Sequence, residues 1–511
     1  MGSGKWLAVV GVLLAFGIAT AQLERDSLWD DEAWSMGAVA GSWSETLGRV
    51  AADVHPPLYF VVLDGWVAWL GEAVYVVRLL STFFGVLGLA ATYRLGKELF
   101  DGWTGGMAAL LLGTSGFFVR YTSEVRMYTL LLCLATFSMG AFVRWLRRPT
   151  LARLLVYGLT LAALPYTHYY GALIPLTQFL YLALTRRRRL KAWSLAAELA
   201  LALYAPWLPV LYRQIQTHPG GPLTLPIPTN WETVGWLLKV LSGGCGALIL
   251  APFLLGQALP RLRRYGEAVS LLLLWALLTP LVVLALNAWI ASLYEMRYVI
   301  AILPAVALLL AYGLRHVFWP RLALGLLLWI VGTSLSLYRP FWPPRTPWGA
   351  REAIQAVAAR QPHEPSLVMI VDPHGLEAHF EQHVGLRNEA ALDLSGRRHS
   401  PAEVRALVAS LDAAPSVWLM LPSNVGETWV AAAALDAGRR VGYRDHAGHV
   451  LFYRFDRGER DDLRFRFGDA LRYEGRLFSD LPPFRPGEPF CPQVALTALT
   501  GLDGSHSFGL H

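Results

Sequence analysis

Apolar runs recur along the chain from residue 6 to about residue 339, separated by short polar turns. A helix needs roughly 17–25 apolar residues to cross a bilayer. Eleven runs reach or approach that length, at about 6–23, 78–99, 104–120, 125–146, 151–167, 171–185, 190–211, 236–259, 266–291, 298–314 and 321–339. The apolar stretch "PLYFVVLDGWVAWLG" at 57–71 is too short and carries Asp64, so it predicts a helix lying along the membrane surface. Beyond residue 340 the pattern changes. "GAREAIQAVAARQ", "PAEVRALVASL" and "GETWVAAAALDAG" have helical periodicity, whereas "SLVMIVD", "SVWLMLP" and "HVLFYRFD" are short β-rich runs. They predict a small α/β domain over 341–458, and "LRFRFGDALRYEGRLF" predicts a β-rich tail over 459–511, too short for a complete sandwich.

Composition agrees with the pattern of runs. Of 511 residues, 55% are hydrophobic and 16% charged, and 20 are tryptophan, a balance that predicts a polytopic α-helical membrane protein with about 11 spans in 1–340. The net charge of +7 does not point to nucleic acid, because the basic residues cluster between apolar runs: "YRLGKELF", "RWLRRP", "TRRRRLK", "PRLRRYG" and "RHVFWPR". These follow alternate spans, so the positive-inside rule places all five in the cytoplasm. A multi-pass protein of the plasma membrane follows, with its N-terminus cytoplasmic and its C-terminal α/β domain extracytoplasmic. Lys5, an apolar run and Ala19-Thr-Ala21 also fit a signal peptide, and either reading leaves the first loop outside. Cys133, Cys245 and Cys491 have neither disulfide-framework nor zinc-ligand spacing.

The same topology gathers unusual polar residues on the outer face. "SLWDDEAWS" brings Asp30, Asp31 and Glu32, "DVHPPLY" brings Asp53 and His55, and "RYTSEVRMY" brings Arg120, Glu124 and Arg126. "THYYG" adds His168, Tyr169 and Tyr170, and "YEMRY" adds Glu295, Arg297 and Tyr298. Singly, each has an ordinary explanation: acids at a helix start, arginines snorkelling to headgroups, histidine and tyrosine in an interfacial belt. Their coincidence on one face argues for a site. Asp31, Glu32, Glu124 and His168 are also ligand types suited to a divalent metal ion, although no spacing fixes one and no cofactor is required by the pattern.

In order along the chain, "DDEAWS", "HPPLYF", "YTSEVRMYTLLL", "YTHYYG" and "MRYVIAILP" resemble glycosyltransferase family 39 of the GT-C superfamily, which includes protein O-mannosyltransferases and the lipid A aminoarabinose transferase. The resemblance covers about 6–340. It implies transfer of a sugar from a polyprenyl-phosphate donor to a lipid, glycan or protein acceptor outside the cytoplasm, with inversion at the anomeric carbon. Carried over, the family's acid pair falls on Asp31 and Glu32, making Asp31 the expected base with Asp30 as a neighbour. Glu124 matches the acid of the second outer turn, and Arg297 matches the arginine before tyrosine in the late outer loop, expected to hold the donor phosphate; Arg126, just after Glu124, is a second guanidinium whose chemistry suits that charge. His55 stands where the aminoarabinose transferase has lysine. Catalytic roles are thus expected for Asp31, Glu32 and Glu124, and substrate contacts for Asp30, His55, Arg126, His168, Tyr169 and Arg297. The alternative class is a secondary transporter or lipid flippase, but neither internal duplication nor mid-span charges are evident.

Overall fold

The computed structural model describes residues 3–24, 28, 30–217, 230–241, 256, 262–289 and 295–338, helical residues between 353 and 359, and eight strands between 366 and 498. The chain forms two compact units, one of Met1–Asp26 with Trp34–Arg345, the other of Ser27–Ala33 with Thr346–His511.

The first unit is helical. Its elements are α1 (Ser3–Thr20), α2 (Asp30–Val39, whose first turn lies in the second unit), α3 (Trp43–Ala52), α4 (Leu58–Leu70), α5 (Val74–Leu99), α6 (Gly102–Gly113), α7 (Gly116–Thr122) and α8 (Tyr128–Arg147). There follow α9 (Leu151–Thr167), a 3-10 turn (Tyr169–Ala172), α10 (Leu173–Thr185), α11 (Leu190–Tyr204), α12 (Leu208–Thr217), α13 (Trp231–Leu241), α14 (Leu262–Trp289), α15 (Leu303–Arg315) and α16 (Pro320–Tyr338). Among the described residues five helical stretches are long and apolar enough to cross a membrane, or six if a bent pair counts as one. The shorter apolar helices include Gly4–Thr20, Leu151–Thr167 and Pro320–Leu335, all predicted as spans, and Leu58–Leu70, predicted as too short.

Three predicted spans differ in detail. The run at 104–120 is no single helix: α6 and α7 meet at 69°. The cause is local, because the Thr114 hydroxyl bonds the carbonyls of Leu110 and Leu111 at 2.9 and 3.2 Å, and Ser115 then starts α7 in an extended conformation. The run at 190–211 belongs to a longer stretch, Arg187–Thr217, which passes Pro206 through a 3-10 turn at Ala205–Trp207. The run at 171–185 is a helix of only 13 residues, preceded by a 3-10 turn that starts at His168. Most of the run at 236–259 lies outside the described residues.

Helix contacts in the first unit depend on glycine. In α5, a Cβ on Gly96 would lie 2.6 Å from the Gly105 Cα of α6 and 2.6 Å from a Leu308 methyl of α15. Gly4 and Gly11 of α1 likewise face Gly106 and Gly113 of α6, backbone against backbone. Lipid tails are as apolar as leucine, so such close approach supplies the dispersion contacts that hydrophobicity does not.

The second unit contains a five-stranded sheet ordered β2-β1-β3-β5-β4. Its strands are β1 (Ser366–Val371), β2 (Glu389–Leu392), β3 (Ser416–Pro422), β4 (Arg440–Ala447) and β5 (Val450–Asp456). β1 runs parallel to β2 and β3, and β5 runs antiparallel to β3 and β4. Val417, Trp418, Leu419 and Met420 are all buried, so both faces of central β3 are covered. β1, β3 and β5 fall on the three predicted strands. β4 was not expected, since Arg440, Arg444, Asp445 and His446 obscure its alternation, as befits a charged sheet edge. The helices expected within 401–411 and 426–438 lie outside the described residues. β6 (Leu463–Phe467), β7 (Leu471–Gly475) and β8 (Leu496–Ala498) form a separate antiparallel sheet ordered β6-β7-β8.

The crossing of α5 with α6 predicts a steric sensitivity. Gly96→Ala overpacks the contact at a cost of about 1–3 kcal/mol, and should lower the thermal midpoint in detergent by several degrees. Gly48→Ala on α3, where a Cβ meets nothing within 4 Å, should leave it unchanged or raise it; equal effects would remove the close crossing as the cause.

Candidate functional site

Three polar segments of the first unit meet. The first is the link from α3 to α4. Asp53 caps the C-terminus of α3, and Pro56-Pro57 lead into α4, where the missing N–H groups of proline cost no helical bonds. Between them His55 Nδ1 lies 2.5 Å from Asp53 Oδ2. The imidazole packs on Trp34 of α2 at 4.7 Å and edge-on to Phe60 of α4 at 5.7 Å between ring centroids. Its backbone is held as well: Gln214 Nε2 of α12 donates to the carbonyls of Val50 and His55 at 3.1 and 3.3 Å. The Gln214 side-chain oxygen accepts from Tyr169, which in turn accepts from the Trp207 indole at 3.2 Å.

The second segment is the turn from α7 to α8. Ser81 of α5 donates to the Arg126 carbonyl at 3.3 Å and Thr82 to the Thr122 carbonyl at 2.8 Å, so α5 fixes the turn from beneath. The Arg126 side chain is 3% exposed. Its Nη2 lies 2.6 Å from His55 Nε2 and its Nη1 donates to Ser35 Oγ of α2 at 3.3 Å. Guanidinium only donates. His55 Nε2 must therefore accept, its proton sits on Nδ1, and that proton is given to Asp53. Burial pushes the Asp53 carboxyl up, but the hydrogen bond from His55, with smaller help from the Val54 backbone and Arg126, holds it below the usual carboxylate range. Nearby, Glu124 is completely buried and pairs with Arg120 Nε at 3.1 Å.

The third part is a recess of rings. His168 packs on Tyr298 at 4.9 Å, Tyr170 at 5.6 Å and Tyr128 at 6.2 Å between centroids. Its Nδ1 accepts the Tyr170 backbone N–H at 3.2 Å, which leaves Nε2 as the protonated nitrogen. Burial first, then the charges of Arg126 and Arg297, push the His168 pKa down to about 3, so the ring is neutral. Arg297 pairs with Glu295 at 3.1 Å and lies 5.7 Å over the Tyr128 ring. Arg126 against His55, Arg297 over Tyr128 and Tyr128 beside His168 join the three parts.

His55, Glu124, Arg126, His168, Tyr169 and Arg297 are thus brought together. Asp30, Asp31 and Glu32 form the first turn of α2, Glu32 being completely buried. Asp53, Ser35, Trp34, Gln214, Tyr128 and Tyr298 were not among the expected site residues. Only Asp53 carried a signal, the Asp-x-His spacing ahead of Pro-Pro. Among the described residues no three of histidine, cysteine, aspartate or glutamate are grouped closely enough to hold a metal ion. The donor chemistry agrees, because Glu124 holds Arg120 and His168 Nδ1 holds a backbone N–H.

Comparison with known proteins places this arrangement in a context. Residues 54–210 match the family model for dolichyl-phosphate-mannose-protein mannosyltransferase. No curated protein matches the sequence. ArnT from Cupriavidus metallidurans, in a crystal structure bound to undecaprenyl phosphate, shares the fold with a TM-score of 0.61 at 14% identity, covering 89% of this chain and 98% of its own. The oligosaccharyltransferase of Archaeoglobus fulgidus in its apo form superposes with a TM-score of 0.51 at 14% identity, covering 84% and 71%. The same archaeal enzyme, AglB, in complex with an inhibitory peptide and a dolichol-phosphate, gives 0.50 at 13% identity over 88% and 74%. The GT-C resemblance read from the motifs is upheld by the family match and by the fold.

Buried neutral His168 makes a prediction about acid. The unfolded chain binds a proton at this residue below about pH 6.5 and the folded chain does so only near 3, so stability should fall as pH drops across that window, by up to about 1.4 kcal/mol per pH unit for one proton. Thermal midpoints of the purified protein between pH 7 and pH 4 should show a shallower decline for His168→Gln. An unchanged slope would assign the acid sensitivity elsewhere.

Proposed function

We propose that the chain is a membrane glycosyltransferase that moves a sugar from a polyprenyl-phosphate donor to a hydroxyl acceptor on the extracytoplasmic side, with inversion at the anomeric carbon. The observation that carries this reading is the buried Arg126, oriented by His55 and Ser35, with a second guanidinium, Arg297, over the ring of Tyr128 two residues further on. Preorganised guanidinium groups out of water suit a charge that grows on a leaving phosphate. The family match and the lipid-phosphate named with the ArnT structure support the donor class. The basic clusters at the opposite helix ends support the outward orientation.

In this reading Arg126 and Arg297 bind the donor phosphate, and Arg120, held by Glu124, adds positive charge to its rim. A carboxylate takes the proton from the acceptor hydroxyl, the acceptor oxygen bonds to the anomeric carbon, and the carbon–oxygen bond to phosphate breaks with its electron pair leaving on the phosphate. One displacement of this kind inverts the carbon. His55 is a poor base here because its Nε2 lone pair accepts from Arg126, and Glu124 is committed to Arg120. Asp31, the aspartate of the acid pair that the motif order carries over, is the base. Asp30 and Glu32 flank it and orient the acceptor. His168 and Tyr169 line the sugar side, where a neutral ring donates through Nε2. The acceptor is a hydroxyl of lipid, glycan or protein.

Two substitutions separate base from clamp. In proteoliposomes supplied with a polyprenyl-phosphate sugar, Asp31→Asn should lower turnover by about 10²–10⁴-fold with donor binding retained; near-normal turnover would remove Asp31 as the base. Arg297→Ala should weaken donor binding about tenfold or more, the loss of one charged hydrogen bond, and unchanged affinity would return Arg297 to a structural pairing with Glu295. Movement of solute or lipid without release of polyprenyl phosphate would replace the transferase with a transporter.

A further inference from the structure

α8 joins two different polar regions. Tyr128 at its start belongs to the outer site, and Arg147, about 30 Å along the helix, lies at its other end. There the ends of α5, α8 and α10 and the start of α14 enclose a half-open recess of about 660 Å³ of empty space, part of it open to solvent. Arg147, Arg186, Arg264, Tyr181, Tyr265 and Glu267 line it, over a wall of leucine and valine. Nothing in the transferase reading uses this recess.

We propose that it binds the phosphate headgroup of an anionic phospholipid. Charge is the first reason. Three guanidinium groups surround the opening and Glu267 offers the sole carboxylate of the lining, paired with Arg186 at 2.5 Å. That carboxylate is 63% exposed, so it neutralises little of the local charge. Arginines crowded around one opening repel until an anion enters. The second reason is an unused donor: Arg186 Nε is buried without a hydrogen-bond partner among the described residues. Arg147 spends one N–H on the Glu98 carbonyl, and its fork has others to give.

Shape favours a lipid over a free ion. Leu99, Val143, Leu146 and Leu271 extend the lining as an apolar wall suited to the first methylenes of an acyl chain. Arg264 lies 5.2 Å over the Tyr265 ring, and Tyr181 stands beside Arg186, so the rim alternates cation and amphipathic ring. The recess lies among the basic helix ends, where a leaflet with anionic headgroups attracts arginine.

The test uses the full chain in nanodiscs of zwitterionic lipid doped with fluorescent phosphatidylglycerol, with bound lipid counted after transfer to detergent. Arg264 is exposed, so Arg264→Gln should fold normally and reduce retained lipid about fivefold, the worth of one arginine near a charged lipid. Arg186→Gln should do the same. Arg188→Glu, an exposed arginine outside the recess, should change retention less than about twofold. Equal losses in all three variants would reduce the effect to general surface charge and overturn the site. Full displacement of the lipid by inorganic phosphate would overturn the lipid assignment in favour of a free anion. Transferase activity enters none of these outcomes.

Discussion

The polar site of the helical unit depends on one contact, that of Arg126 with His55. A buried guanidinium is costly unless its N–H groups are satisfied, and here the imidazole and Ser35 answer two of them. Satisfying Arg126 in this way fixes the histidine tautomer, and the tautomer in turn requires Asp53. The demand spreads through the backbone, because the imidazole can meet Arg126 only while Gln214 holds the His55 carbonyl and Ser81 holds that of Arg126. Segments from α2, α3, α5, α12 and the turn before α8 are therefore tied to the position of one cation. Its orientation is set before any substrate arrives, which is the condition under which fixed charges stabilise a transition state best.

The helical part of the fold was legible because lipid enforces long apolar runs, and the run at 151–167 is a helix between those same residues. What periodicity could not show was how runs break and join. Thr114 and Ser115 are compatible with a helix by composition, and the break appears only because the Thr114 hydroxyl takes the Leu110 and Leu111 carbonyls and Ser115 turns extended. Pro206 is an ordinary stop signal, yet a 3-10 turn carries the stretch through it. β4 stayed hidden for another reason, since an edge strand keeps charge where the central strand β3 is a continuous apolar run.

The site was legible as chemistry and less so as geometry. Outer-face topology and motif order selected His55, Arg126, His168 and Arg297, all of which meet. The partners that fix them left no trace in local sequence, because the contacts span 91 residues from Ser35 to Arg126 and 159 from His55 to Gln214. Serine and glutamine at such distances look like any other polar residue. Asp53 was closer at hand, two residues from His55, but Asp-x-His becomes meaningful only once Arg126 is known to claim the far nitrogen.

The crossings of α1 and α5 with α6 have a consequence for natural variation. Gly4, Gly11, Gly96, Gly106 and Gly113 leave no room for a methyl group, so selection should hold them as tightly as any catalytic side chain, though they touch no reactant. In this architecture invariance has two independent origins, one steric and one chemical. The steric one falls on the smallest residues in the chain, and it resists drift even where the polar residues of the site diverge.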